Sequence, residues 1–261
     1  MVNNIESPQL PLLAATGLCK SFGGIQAVKD ANIEVAKGSI TGLIGPNGAG
    51  KTTLFNLLSN FIHPDKGRVT FDGEPIHNLQ PYRVAQQGLI RTFQVARTLS
   101  RLSVLENVLL AAQKQTGENF WQVQFQPHVV AKEEKQLKER AMFLLEFVGL
   151  EKKANDYAGG LSGGQRKLLE MGRALMTNPK LILLDEPAAG VNPRLIDDIC
   201  DRILKWNRED GLTFLVIEHN MHVIMSLCDR VWVLAEGQNL AVGTPTEIQR
   251  NTKVLEAYLG Q

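Results

Sequence analysis

The stretch that most constrains the chain is Gly45-Pro46-Asn47-Gly48-Ala49-Gly50-Lys51-Thr52-Thr53. It fits the phosphate-binding pattern of a glycine, four residues, then Gly-Lys-Ser/Thr. The apolar run at 39–44 ahead of it reads as a buried strand, and Leu54 to Leu58 behind it open a helix. A strand, a glycine-rich loop and a helix in that order define an α/β unit with an anion site at the helix start. Gly48 and Gly50 let the backbone curl its N–H groups towards a polyphosphate. Lys51 can reach the β- and γ-phosphates, and Thr52 can take a Mg²⁺ position. Thr53 adds a further donor.

The remaining chain fits the same architecture. Strands are predicted at 12–18, 27–35, 68–71, 89–93, 181–184 and 213–217, with a hairpin at 230–235 and 238–242. Helices are predicted at 81–87, 104–110, 131–148 and 166–176, another from Asn192-Pro193, and two short ones up to Leu259. Residues 1–11 read as a loose tail. Residues 116–127 read as an interruption whose aromatics, Phe120, Trp121 and Phe125, pack inside a helical lobe. The outer face of 131–148 pairs Glu134 with Lys138 at i,i+4.

Two continuous apolar runs end in polar pairs. Leu181-Ile182-Leu183-Leu184 runs into Asp185-Glu186, and Thr213 to Ile217 runs into Glu218-His219. In an open parallel sheet, ligands sit outside the carboxyl ends of the strands. Adjacent acids there are costly unless they hold a metal or do chemistry. Asp185 suits Mg²⁺ through water, and Glu186 suits polarising a water aimed at a γ-phosphate. Three other residues each have two local readings. Phe22 is a loop anchor or a ring that stacks on a base, Gln94 a solvated side chain or a metal ligand, and His219 structural or a partner of the γ-phosphate. Leu161-Ser162-Gly163-Gly164-Gln165 is a plain serine cap or a second anion site at a helix start.

Composition narrows the class. Of 261 residues, 44% are apolar, enough for a sizeable core. A net charge of +1 argues against nucleic-acid binding through bulk charge. No run reaches the ~18 apolar residues of a membrane span. The start, with Glu6, Pro8 and Pro11, lacks the basic region of a secretory leader. Cys19, Cys200 and Cys228 have no metal spacing and read as cytosolic thiols.

In this order the motifs resemble those of the nucleotide-binding subunits of ABC (ATP-binding cassette) transporters, over nearly the whole chain. The pentapeptide 161–165 matches that family's signature. The resemblance implies a P-loop NTPase, RecA-like core with an antiparallel β subdomain at 12–94 and 166–245. It also implies an inserted helical subdomain at 95–165 and closing helices at 246–261. The implied ligands are ATP and Mg²⁺. Gly45, Asn47, Gly48, Ala49, Gly50, Lys51, Thr52, Thr53 and Gln94 then bind ATP, and Phe22 stacks on the adenine. Thr52, Gln94 and Asp185 hold the metal, Glu186 is the catalytic base, and His219 is the switch histidine.

By the same resemblance, Ser162, Gly163, Gly164 and Gln165 touch the ATP held by a second ATP-binding subunit, different or identical. Asn192 stands where the family usually has an aspartate that couples the two sites, which leaves that coupling open. The run 91–99, the run 188–193, the long insertion and the ending Tyr258-Leu259-Gly260 resemble the larger ATPase of branched-chain and neutral amino-acid importers. That implies two permeases, a periplasmic binding protein acting indirectly, no nucleic acid, and a place at the cytoplasmic face of the inner membrane. The alternative cargoes are urea or short amides, or lipopolysaccharide-type export. A soluble cassette acting on ribosomes or DNA would need two cassettes or a coiled coil. A plain P-loop kinase has no use for the pentapeptide.

Overall fold

The computed structural model describes residues 10–92, 98–113, 115–118 and 120–259. In chain order the strands are β1 (Leu13–Phe22), β2 (Ile25–Val35), β3 (Ile40–Ile44), β4 (Lys66–Phe71), β5 (Glu74–Pro75), β6 (Leu89–Arg91), β7 (Leu181–Asp185), β8 (Thr213–Ile217), β9 (Arg230–Ala235) and β10 (Gln238–Gly243). The helices are α1 (Lys51–Leu58), α2 (Pro81–Gln86), α3 (Val104–Leu109), α4 (Phe120–Phe125), α5 (Pro127–Phe147), α6 (Gly163–Met176), α7 (Pro193–Asp210), α8 (Met221–Leu227), α9 (Pro245–Gln249) and α10 (Thr252–Leu259).

Two sheets form. One is antiparallel, in the order β2-β1-β4-β5; the other runs β10-β9-β3-β8-β7-β6. In the second, β3 pairs in parallel with β8 and β9, and β7 pairs in parallel with β8. Every residue of β3 and β8 is buried, as expected of central parallel strands covered on both faces. Leu43 lies opposite Ile217, and Ile217 opposite Asp185. The carboxyl ends of β3, β7 and β8 therefore lie side by side, and their loops leave from one edge of the sheet.

The contacts divide the chain into two compact units. The first comprises the described part of Met1–Ile90, Lys180–Glu186 and the described part of Ile203–Gln261. Its core joins Leu13, Leu18 and Ile33 of the antiparallel sheet to Leu43, Leu183 and Leu215 of the other, and both to Leu54, Phe55, Leu57 and Leu58 of α1. The second comprises the described part of Arg91–Pro179 together with Pro187–Arg202. There α3, α5 and α6 pack on one another. Gly172 of α6 faces Val108 and Val148. Buried Asn107 holds the loop ahead of α3 through the Leu99 and Ser103 carbonyls.

Three local expectations are corrected. The stretch read as an interruption at 116–127 contains a helix, α4, and α5 begins at Pro127, which is tolerated in a first helical turn. The aromatics are not interior. Trp121 and Phe125 stack on each other with centroids 5.8 Å apart and are 65% and 69% exposed; the Phe120 side chain lies outside the described ones. Helix α8 was not foreseen, although Asn220 caps it by accepting from the His222 N–H at 3.0 Å. On the outer face of α5, Lys135 and Glu139 approach to 3.9 Å.

Candidate nucleotide site

The loop after β3 is shaped by glycines that no other residue can replace. Gly45 has φ 154°, and a Cβ there would lie 2.1 Å from the Leu234 carbonyl oxygen. Gly50 has φ 94°, and its Cβ would lie 2.3 Å from the Ala27 carbonyl oxygen. Gly50 is also the N-cap of α1, which has neither a side-chain cap nor an acid in its first turn. The positive end of the helix dipole is thus left without an internal anion.

Lys51 folds back over this loop. Its Nζ donates to the carbonyls of Gly45 at 2.7 Å and Pro46 at 2.9 Å. Burial lowers its pKa below the ordinary lysine value, and the charge of Glu186 opposes the shift. A polyphosphate in the loop would act in the same direction as Glu186. Asn47, Gly48 and Thr52 are exposed, Thr53 and Gly50 half-buried, and Ala49 buried. The mouth of the loop therefore presents backbone and hydroxyl groups.

Asp185 ends β7, and Glu186 follows it with φ 49°. A left-handed glutamate is strained, and strain of this kind collects where a side chain must be aimed. Glu186 Oε1 lies 3.7 Å from His219 Nδ1, and the Glu186 N–H donates to the Ile217 carbonyl at 3.0 Å. The fold thus brings Lys51, Glu186 and His219 together from three loops. Glu218 was overlooked in the sequence. It is fully buried, and its Oε2 accepts from the N–H groups of His219 at 3.1 Å and Asn220 at 3.3 Å. It fixes the turn that carries His219. The signal was an acid next to the candidate histidine.

Phe22 ends β1 at a tight turn through Gly23 and Gly24, and its ring is 50% exposed. It does not anchor the loop in the core, as local sequence suggested. Lys20 Nζ sits 5.7 Å from the ring centroid and pairs with Asp65 at 2.7 Å, while Asp65 also accepts from the Ser21 N–H at 2.7 Å. The Lys20 hydrogen bond holds the Asp65 carboxyl below its usual pKa. The ring is held outward on a braced hairpin. Gln94 lies outside the described residues.

In the second unit, Ser162 caps α6 in a reciprocal box. Its Oγ accepts from the Gln165 N–H at 3.3 Å, and Gln165 Oε1 accepts from the Ser162 N–H at 3.0 Å. Gly164 is packed tightly enough that a Cβ would meet Leu195 Cδ2 at 2.3 Å; Ser162 and Gly163 are exposed. Asn192 Oδ1 accepts from the Arg194 N–H at 3.0 Å at the start of α7, which a carboxylate oxygen could also do.

The donor set fits a hard divalent ion only in part. Among the described residues no group of three or more His, Cys, Asp or Glu could hold a metal. Thr52 and Asp185 supply a hydroxyl and a carboxylate. That suits an ion completed by phosphate oxygens and water, the preference of Mg²⁺.

A glycine-cradled helix start beside a parallel sheet, with an acid and a histidine at neighbouring strand ends, defines a P-loop nucleotide-hydrolase cassette. Residues 28–189 match the family described as ABC transporter, and residues 238–261 match the one described as Branched-chain amino acid ATP-binding cassette transporter. The chain belongs to the ABC transporter family, and it is an ATPase. It is 41% identical to the high-affinity branched-chain amino acid transport ATP-binding protein BraF of Pseudomonas aeruginosa, over 96% of this chain and 98% of the relative. It is 40% identical to the probable branched-chain amino acid transport ATP-binding protein LivG of Archaeoglobus fulgidus, over 96% of each. Among solved structures, the ADP conformation of MJ1267, an ATP-binding cassette of an ABC transporter, aligns with a TM-score of 0.81 at 38% identity, over 97% of this chain and 100% of that one. The dimeric cassette MJ0796 in a post-hydrolysis state with ADP and Pi aligns with a TM-score of 0.74 at 26% identity, over 89% and 98%. No described helix is long and apolar enough to cross a membrane.

Proposed function

We propose that the chain is the energy-coupling subunit of an importer for branched-chain or neutral amino acids, held peripherally at the cytoplasmic face of the inner membrane. The observation that carries the reading is the match of the last 24 residues, 238–261, together with relatives of near-equal length that bear that transport activity in their names. In this reading Phe22 stacks on the adenine. Gly45, Asn47, Gly48, Ala49, Gly50, Lys51 and Thr53 hold the phosphates. Thr52, Asp185 and Gln94 hold Mg²⁺, whose charge neutralises the phosphate oxygens. Glu186 takes the proton of the attacking water, and His219 orients the γ-phosphate. The helical stretch at 95–165 meets the two permeases, and a periplasmic binding protein delivers the cargo to them.

A second ATP-binding subunit, identical or different, completes each site through Ser162, Gly163, Gly164 and Gln165. Exposure of Ser162 and Gly163 at a capped helix start supports this. Ser162→Arg is expected to abolish hydrolysis while changing ATP affinity of the monomer less than twofold, measured by calorimetry below the dimerisation concentration. A matching loss of monomer affinity would place the segment at its own chain's nucleotide.

The cargo reading is tested by uptake of labelled leucine, isoleucine, valine, alanine and urea in the source cell with the gene deleted. Restoration of neutral amino-acid uptake by the wild type, and not by Glu186→Gln, supports the proposal. Unchanged amino-acid uptake overturns it.

A further inference from the structure

Segments around Lys29, Ala49 and Gly237 meet at one residue, Gly237, behind the phosphate-binding loop. The Gly237 N–H, in the turn between β9 and β10, donates to the Ala49 carbonyl at 3.0 Å. The Gly237 carbonyl accepts from the Lys29 N–H of β2 at 2.7 Å. The junction has no space for a side chain. Gly237 has φ 80°, and a Cβ there would lie 2.8 Å from the Ala27 carbonyl oxygen. A Cβ on Gly50 would meet the same carbonyl, with the Gly237 Cα 3.5 Å away.

The same strand and the last helix support the front of the loop. The Leu234 carbonyl of β9 closes over Gly45. Helix α10 packs on β10 and α9, with Val254 buried, and its Tyr258 hydroxyl lies against the Gly45 backbone. Burial raises the Tyr258 pKa, and the Gly45 backbone hydrogen bond offsets part of that rise.

We propose that the Glu236–Gly237 turn is a positioning clasp for the nucleotide site. It ties β2, the partner strand of the Phe22 hairpin, to the loop that holds the phosphates. The base end and the phosphate end of the site are then set in register through the two peptide groups that flank Gly237. Gly237 is a positioning residue, since it touches the loop rather than the nucleotide. The inference rests on the ATP-site reading given above.

The test compares Gly237→Ala with Gly211→Ala in the full chain. Gly211 also has positive φ, 65°, but nothing lies within 4 Å of its Cβ position, so it reports backbone strain alone. Gly237→Ala is expected to raise KM for ATP about tenfold with kcat changed less than threefold, because a small displacement of binding groups is enough for such an effect. Gly211→Ala is expected to keep the wild-type KM. Equal KM in the two variants overturns the clasp.

Should Gly237→Ala not fold, amide exchange of the wild type decides. ATP must slow exchange at Lys29 and Gly237 together with the loop amides. Protection confined to the loop overturns the proposal. Failure of the wild type to bind ATP would instead sink the nucleotide-site reading, so the two failures are distinct.

Discussion

Glu186→Gln is expected to bind ATP with near wild-type affinity and to lower kcat by a factor of about 10²–10⁴, the range of a general base. The amide is isosteric, so the left-handed backbone at this position and the approach to His219 are kept. What disappears is the ability to accept a proton from water. In the proposed dimer an uncleaved γ-phosphate would keep ATP between the two subunits, and the variant should run as a dimer in size-exclusion chromatography with ATP. Steady-state hydrolysis and elution volume are the two measurements. Turnover like that of the wild type would remove Glu186 as the base and leave substrate-assisted proton transfer in its place.

Lys51→Ala is expected to weaken ATP binding by a factor of about 10–100. A charge-assisted hydrogen bond to phosphate contributes about 1.5–3 kcal/mol, and about 1.4 kcal/mol is tenfold in affinity. Lys51 is the cation that the fold places at the start of α1. Its loss is felt by the β- and γ-phosphates and scarcely by the base, so AMP binding should change little while ATP binding falls. Calorimetry with both nucleotides checks this. Equal losses for AMP and ATP would mean that the substitution deforms the loop rather than removing a charge.

Much of the candidate site was legible because the chemistry restricts residue types locally. A loop that turns its amides inward must use glycine, and an acid pair at the end of a buried strand demands a reason. Gly45, Gly50, Asp185 and Glu186 announce themselves in that way, whereas His219 kept two local readings until the family resemblance favoured one. Helix α8 did not. It has only seven residues, too few to show a clear helical period in sequence. Helix α4 was hidden by Phe120, Trp121 and Phe125, which have modest helix propensity, and by Pro127 close behind. The outward position of Trp121 and Phe125 was illegible because apolar side chains read as core unless their surroundings are known.

Glu218 was passed over because burial of an acid depends on backbone donors that sequence does not display. The junction at Gly237 is illegible for a simpler reason. Its partners, Lys29 and Ala49, lie about two hundred residues away, and only folding makes them neighbours.

The loop carbonyls beside Lys51 compete with phosphate for its ammonium. Lys51 already has two acceptors, the carbonyls of its own loop. An ammonium has three N–H donors, so a phosphate either takes the third or displaces a carbonyl to gain a second. The cassette carries an internal competitor for its own nucleotide. Any phosphate contact that costs Lys51 a carbonyl is weakened by the bond it replaces, so the loop itself tempers how tightly a nucleotide can be held.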